Sequence, residues 1–369
     1  MTVVLVALSL TLGAACGHTT PKGAPAAKAP DPAAAAARIE RLRKWEASGL
    51  RSHALEFPDG LATATIEDVD GTKVDCMKVT EEGRMCNVVV SLGKDADGDA
   101  RAFACTVTWT PRPLPLGAFV QGLINRAHYS FPETPLLRVR TTEADASLVA
   151  SMVGACEQET ESGTAYGDLK IAIKYTPTVS AMCFDADIGS RDTFDRVTKV
   201  FFDSLKTKAG APEQVLFEGA TKARQGEQVT GFSYGYVRKG DDGAFSESTT
   251  VFDLSSSDEG WSVHDMLLDV ERSTSGSVTS YRQKAMTGSE LSYDLSAKPA
   301  EGGKWRLRAS DGQRSDALEM TPQSPLSTEL WEASAFRRVA TGQQPSHRYA
   351  FLTLNDGEPT FAYSKLTKL

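Results

Sequence analysis

The sequence predicts two folded parts of different class. An α+β domain over residues 35–208 precedes an antiparallel all-β domain over residues 229–369, shaped as a half-barrel or curved sheet. Two patterns carry this division. Up to residue 208, stretches of period-two alternation are broken by apolar residues at helical spacing; after residue 229 the alternation is almost continuous. The cysteines add a third observation: Cys76, Cys86, Cys105, Cys156 and Cys183 all fall in the first part, so any disulfide among them staples that part alone. Five is odd, so at least one thiol is free or bonded to another molecule.

Residues 35–50 read as a first helix, with Ile39, Leu42 and Trp45 on one side and Arg38, Arg41, Arg43 and Lys44 making it basic. Alternation then begins at Ala62, Ala64 and Ile66, and Asp70-Gly71 turns the chain. Strands over 74–79 and 85–92 form a hairpin around Glu81-Glu82-Gly83, and a turn at Asp95-Ala96-Asp97-Gly98 leads into a strand over 102–110. This places Cys76 near Cys86 and Cys86 near Cys105, where only one pair can bond. Pro111, Pro113 and Pro115 end the run, and Leu116, Phe119, Val120, Leu123, Ile124 and Ala127 mark an amphipathic helix. Thr142 to Asp145 resembles a capping box opening another helix through Leu148 and Met152. Strands over 169–175 and 179–186 follow. Asp192 then caps a helix carrying Phe194, Val197, Val200, Phe201 and Leu205. Strands followed by a helix thus occur twice, which reads either as a weak internal duplication or as a plain α+β sheet.

Residues 209–228, rich in Ala, Gly, Glu and Gln, read as a linker. Beyond them strands are expected over 229–238, 245–254, 261–271, 277–286, 290–295, 304–308, 317–320, 347–354 and 360–366. Turn signals such as Gly240 to Gly243, Ser273 to Gly276 and Asn355-Asp356-Gly357 separate them at hairpin spacing. Pro322, Pro325 and the segment around Trp331 interrupt the run before a final hairpin.

The start of the chain speaks to location. Residues 1–15 hold an apolar run from Val3 to Leu12 followed by Gly13, Ala14 and Ala15, and residues 16–34 form an Ala/Pro-rich tether. The apolar run falls short of the roughly 20 residues that span a bilayer. The arrangement resembles a bacterial lipoprotein signal peptide with Cys16 as the lipidated residue. The resemblance covers only the first sixteen residues or so. It implies several acyl chains on Cys16, attachment to a membrane through them, and, because Gly17 rather than Asp follows, the outer membrane of the cell envelope. The alternative is an ordinary signal cut near Ala15, which leaves Cys16 a plain thiol.

A net charge of −8 argues against a nucleic-acid partner, since no basic field offsets phosphate repulsion. No segment carries a catalytic signature. Asp95, Asp97 and Asp99 have the one-three-five spacing of a calcium loop, but the glycine and the bidentate acid are misplaced, so the segment reads as a hairpin tip. Ser262-Val263-His264-Asp265 gathers the triad residue types, yet in a strand His264 and Asp265 point to opposite faces. No metal or cofactor is implied.

Phe232, Tyr234 and Tyr236 line one face of a strand and Trp261 begins another. They form either an apolar groove for an acyl chain or peptide, or plain core. The strand pattern looks faintly like the lipid-handling half-barrels of envelope lipoproteins. The expectation is therefore a non-catalytic, lipid-anchored envelope protein that binds an apolar ligand such as a lipid, or a protein partner. Two alternatives stand beside it: an assembly factor acting through the N-terminal domain, and a hydrolase with an unrecognised site.

Overall fold

The computed structural model describes residues 32–369 except 79–82, 110–119, 122–123, 125–127, 142–146, 161–162, 178, 208–213, 258–259, 289, 312–314, 356 and 368–369. Strands dominate both halves. A small antiparallel sheet joins β1 (Arg51–Glu56), β2 (Ala62–Asp68) and β11 (Lys206–Thr207). Next comes an eight-stranded sheet in the order β3-β4-β5-β10-β9-β8-β6, with β7 also on β8. Its members are β3 (Lys73–Lys78), β4 (Arg84–Lys94), β5 (Ala100–Trp109), β6 (Tyr129–Ser130), β7 (Leu136–Thr141), β8 (Leu148–Thr160), β9 (Gly163–Tyr175) and β10 (Val179–Asp185).

A second eight-stranded sheet is a simple meander from β12 to β19. It comprises β12 (Gln214–Gln225), β13 (Gln228–Lys239), β14 (Phe245–Ser257), β15 (Gly260–Arg272), β16 (Val278–Thr287), β17 (Glu290–Pro299), β18 (Trp305–Ser310) and β19 (Ser315–Met320). The hairpin of β20 (Ser346–Asn355) and β21 (Glu358–Thr367) closes the chain. Three helices are described in full: α1 (Pro32–Arg43), α2 (Arg191–Ser204) and α3 (Glu329–Ala340).

The layers follow from the alternation. One face of the first large sheet presents Val88, Val90, Cys105, Val107, Ala181 and Cys183 to α2 and the small sheet. Its other face presents Leu148, Met152, Ile171, Ile173 and Tyr175 to Phe232, Tyr234 and Phe252 of the meander. Every residue of β10 is buried, as expected for a strand covered on both faces. On the meander's far face, Val270, Tyr281, Leu295 and Leu307 pack on Leu352 and Phe361 of the terminal hairpin.

An α+β domain followed by a single all-β domain is therefore not what the chain builds; both halves rest on large antiparallel sheets, and several sheets share its cores. Three local misreadings explain the difference. The helix expected through Leu148 and Met152 is strand β8 from Leu148 onward, with residues 142–146 outside the described residues. Positions i and i+4 share a face in a helix and in a strand alike, so that pair could not discriminate. The presumed linker contains β12, whose poor strand formers are held by pairing along the length of β13. The segment around Trp331 is helix α3, with the Thr328 hydroxyl accepting from the Trp331 N–H at its start. Of the helix expected over residues 116–127, Val120, Gln121 and Ile124 are described and helical; the remainder lies outside the described residues.

Helix α2 is held at both ends by distant groups. Asp192 does not cap it. Ser190 occupies the N-cap with a left-handed backbone, and the Glu46 carboxylate accepts from the N–H groups of Asp192 (3.2 Å) and Thr193 (2.7 Å). Gly189, at φ +81°, brings this turn against α1: a Cβ there would lie 2.0 Å from the Leu42 carbonyl oxygen. Gly189→Ala is expected to destabilise the fold by well over the roughly 1–2 kcal/mol of left-handed backbone alone. A urea titration showing no loss would contradict this packing.

Candidate binding face

The meander presents one continuous face with two characters. Register carries that face from Tyr236 on β13 through Ser248 on β14 and Asp269 on β15 to Arg282 on β16. From there it continues to Ser296 on β17 and Arg308 on β18. On β13 and β14 it is aromatic and covered by the first large sheet; from β15 to β19 it is polar and open. The open part forms a trough of about 930 Å³.

Five acidic and four basic side chains line the trough, among them Asp269, Arg282, Asp294, Lys298, Arg306 and Glu319. Cross-strand pairs organise them: Arg282 Nε donates to Asp294 Oδ1 at 3.0 Å, and Arg306 Nη2 to Glu319 at 3.1 Å. The Asp294 hydrogen bond holds the Arg282 guanidinium above its ordinary pKa. Deeper on the same face, Ser248 donates to Asp269 at 2.6 Å, and the Arg238 guanidinium lies 4.5 Å from the Tyr236 ring centre. The nearly balanced charge matches a surface that itself carries both signs, rather than a polyanion.

Where, then, are the four rings proposed for an apolar groove? Phe232, Tyr234 and Tyr236 are buried, with exposures of 1%, 0% and 1%. Tyr175 of the first sheet stacks on Tyr234 at 5.8 Å and tilts against Phe232 at 6.1 Å. Trp261 packs edge-on against Phe131 at 4.7 Å. The structure does bring these side chains together, but the space over them is filled by the chain's own β9 and its neighbours. Their role here is to join the two large sheets. Tyr234 donates to Glu218 at 2.6 Å, and burial, followed by that carboxylate, pushes its phenol far above the ordinary range.

The other candidates resolve simply. Asp95 accepts from the N–H groups of Asp97 and Asp99, and Arg38 and Arg41 bind Asp97, so the acidic loop is a hairpin turn neutralised by α1. His264 Nε2 lies 2.7 Å from Ser255 Oγ, but its Nδ1 meets the Thr287 hydroxyl at 3.1 Å rather than a carboxylate. The strands on either side occupy the local backbone in their ladders, so this pair lacks both an orienting acid and oxyanion donors. Among the described residues, no group of three or more His, Cys, Asp or Glu is placed to hold a metal ion.

Cysteine pairing is partly as expected. Cys76–Cys86 bridges register partners on β3 and β4. Cys105, however, bonds Cys183, its partner across β5 and β10, and not Cys86, which faces Val107. Cys156 is a buried thiol outside both bridges. Cys16 lies outside the described residues.

Sequence reasoning missed the buried cations, Lys170 and Lys174 among them. Lys170 Nζ meets Asp185 Oδ2 (2.8 Å) and donates to the carbonyls of Asp187 and Gly189 (2.6 Å each). Lys174 donates to the Phe202 carbonyl in the last turn of α2 at 2.6 Å. The two lysines lie four apart on the face of β9 that also carries Asp168 and Ala172. Comparison with family models, with curated proteins and with solved structures finds no match for this chain.

Proposed function

We propose that this chain is a lipid-anchored protein of the bacterial outer membrane that binds a protein partner in the polar trough of its meander. The trough is the observation that carries this reading. It is concave, open and lined by both signs of charge, while the aromatic rings that would have held an acyl chain are committed to the core. The resemblance of residues 1–16 to a lipoprotein signal supports the anchor. Two disulfides fit an oxidising compartment, where such bonds persist.

Photo-crosslinking in cells tests the binding face. A benzophenone side chain at Ser280 or Ser296, both in the trough, is expected to give a discrete protein adduct. The same group at Lys73, on the edge strand of the other sheet, should not. Arg282→Glu together with Arg308→Glu should reduce the trough adduct about tenfold. A well-folded protein that gives no adduct from either trough position would remove the proposal. Labelling with radioactive palmitate, abolished by Cys16→Ser, tests the anchor separately.

A further inference from the structure

We propose that the protein bound in the trough inserts an acidic side chain between Lys298 and Arg308, which rests on the trough being the binding face. The charges of the trough fall in bands by strand. Strand β15 contributes Asp269 and Glu271, and β19 contributes Glu319. Between them, β16 to β18 contribute Arg282, Lys298, Arg306 and Arg308, with Asp294 in their midst. Most of these groups are committed within the chain. Asp294 binds Arg282, Glu319 binds Arg306, and Asp269 accepts from Ser248. Lys298 and Arg308 are not committed: among the described residues neither side chain has a hydrogen-bonding or ionic partner.

Register explains why these two are left. Lys298 stands directly opposite Arg306, and like charges so placed destabilise a sheet. Glu319 relieves Arg306, but no described group relieves Lys298. Arg308 stands between Ser296 on β17 and Ala317 on β19. The carboxylates at its diagonal positions are Asp294 and Glu319, and both are already taken. Lys298 and Arg308 are themselves diagonal neighbours, about 7–8 Å apart, so their long side chains can converge on one acceptor. A carboxylate set between them would accept from the fork of Arg308 and from the ammonium of Lys298. The surroundings select one acid on a surface of mixed charge. Five acidic groups against four basic ones, with acids on both flanking strands, repel the continuous negative charge of a phospholipid layer.

The test uses membranes from cells making the full-length protein with the benzophenone at Ser280. Lys298→Gln and Arg308→Gln should each reduce the trough adduct about tenfold, the size expected for a close charge pair across an interface. Lys304→Gln, at an exposed cation outside the trough, should leave it unchanged. All three side chains are exposed, so their urea midpoints should stay at the parental value. A zero-length carbodiimide reagent, which joins an amine to a carboxylate in contact, should give an amide between Lys298 and an Asp or Glu of the protein in the adduct. Reversing that acid to Lys should abolish the adduct with the parental chain and restore it with Lys298→Glu/Arg308→Glu. Inorganic phosphate, compared with chloride at equal ionic strength, should not compete. A trough adduct that survives loss of both cations, that yields no such amide, or that phosphate displaces would overturn the inference and leave the trough as a binding face. No adduct from the parental chain would remove both.

Discussion

Lys170→Met is expected to be among the most damaging single substitutions in this chain, lowering stability by about 3–5 kcal/mol. Lys170 is fully buried and sits at the centre of a knot of oxygen acceptors: the Asp185 carboxylate, two carbonyls and, at 3.2 Å, the Ser190 hydroxyl. Methionine matches its length but donates nothing. Asp185, 6% exposed, would keep only the Asp187 N–H at 3.0 Å and a distant hydroxyl, and two buried carbonyls would lose their shared donor. The same turn holds Gly189 against α1 and positions the first residues of α2, so the loss spreads to three elements. Marginal proteins have only about 5–15 kcal/mol in total. A urea titration should therefore show a much lower midpoint. The double variant Lys170→Met with Asp185→Asn should recover part of the loss, because it removes the stranded charge. If the single variant unfolded at the parental midpoint, the knot would be ornamental and α2 would be held by its apolar face alone.

Most strands of the meander were readable because each alternates against water or core with a fixed period, and the turns between them use Asp, Asn and Gly. The trough residues were equally visible as the polar half of that alternation. What was not readable is which part of a sheet face is covered. Tyr234 and Arg282 lie on one face of one sheet, and only the approach of β9 makes the first core and leaves the second open. That approach is a long-range event which no window of residues encodes. The same limit applies to Cys105. Local hairpin geometry offered Cys86, whereas its true partner arrives after 78 residues, brought by the pairing of β10 with β5. The Lys170 knot failed for a different reason: a lysine in a strand reads as solvent-facing unless its acceptors, supplied here by the turn before α2, are already known.

Removing the Cys105–Cys183 bridge is expected to cost about 2 kcal/mol more than removing Cys76–Cys86. The comparison is sharper than either absolute value. Both bridges join register partners on adjacent antiparallel strands, so the local setting nearly cancels. They differ in the chain they close, 78 residues against 10. In the chain-entropy description the penalty lifted from the unfolded state grows with the logarithm of loop length, giving about 4–5 kcal/mol for the long loop and about 3 for the short one. Burial acts in the same direction: Cys105 and Cys183 are both fully buried among Val88, Val107 and Ala181, whereas Cys76, on the edge strand β3, is half-exposed and only its partner Cys86 is buried. Alanine at the inner pair would add a small cavity cost, so valine pairs make the cleaner comparison. Urea titrations of Cys105→Val/Cys183→Val and Cys76→Val/Cys86→Val should then separate by that margin. The inner variant should also show the larger dependence on denaturant, since its unfolded chain is released over β6 to β9 and exposes more surface. Equal losses would mean that the unfolded chain keeps β5 and β10 together without the bond. The bridge would then secure a contact that the buried strand already makes for itself.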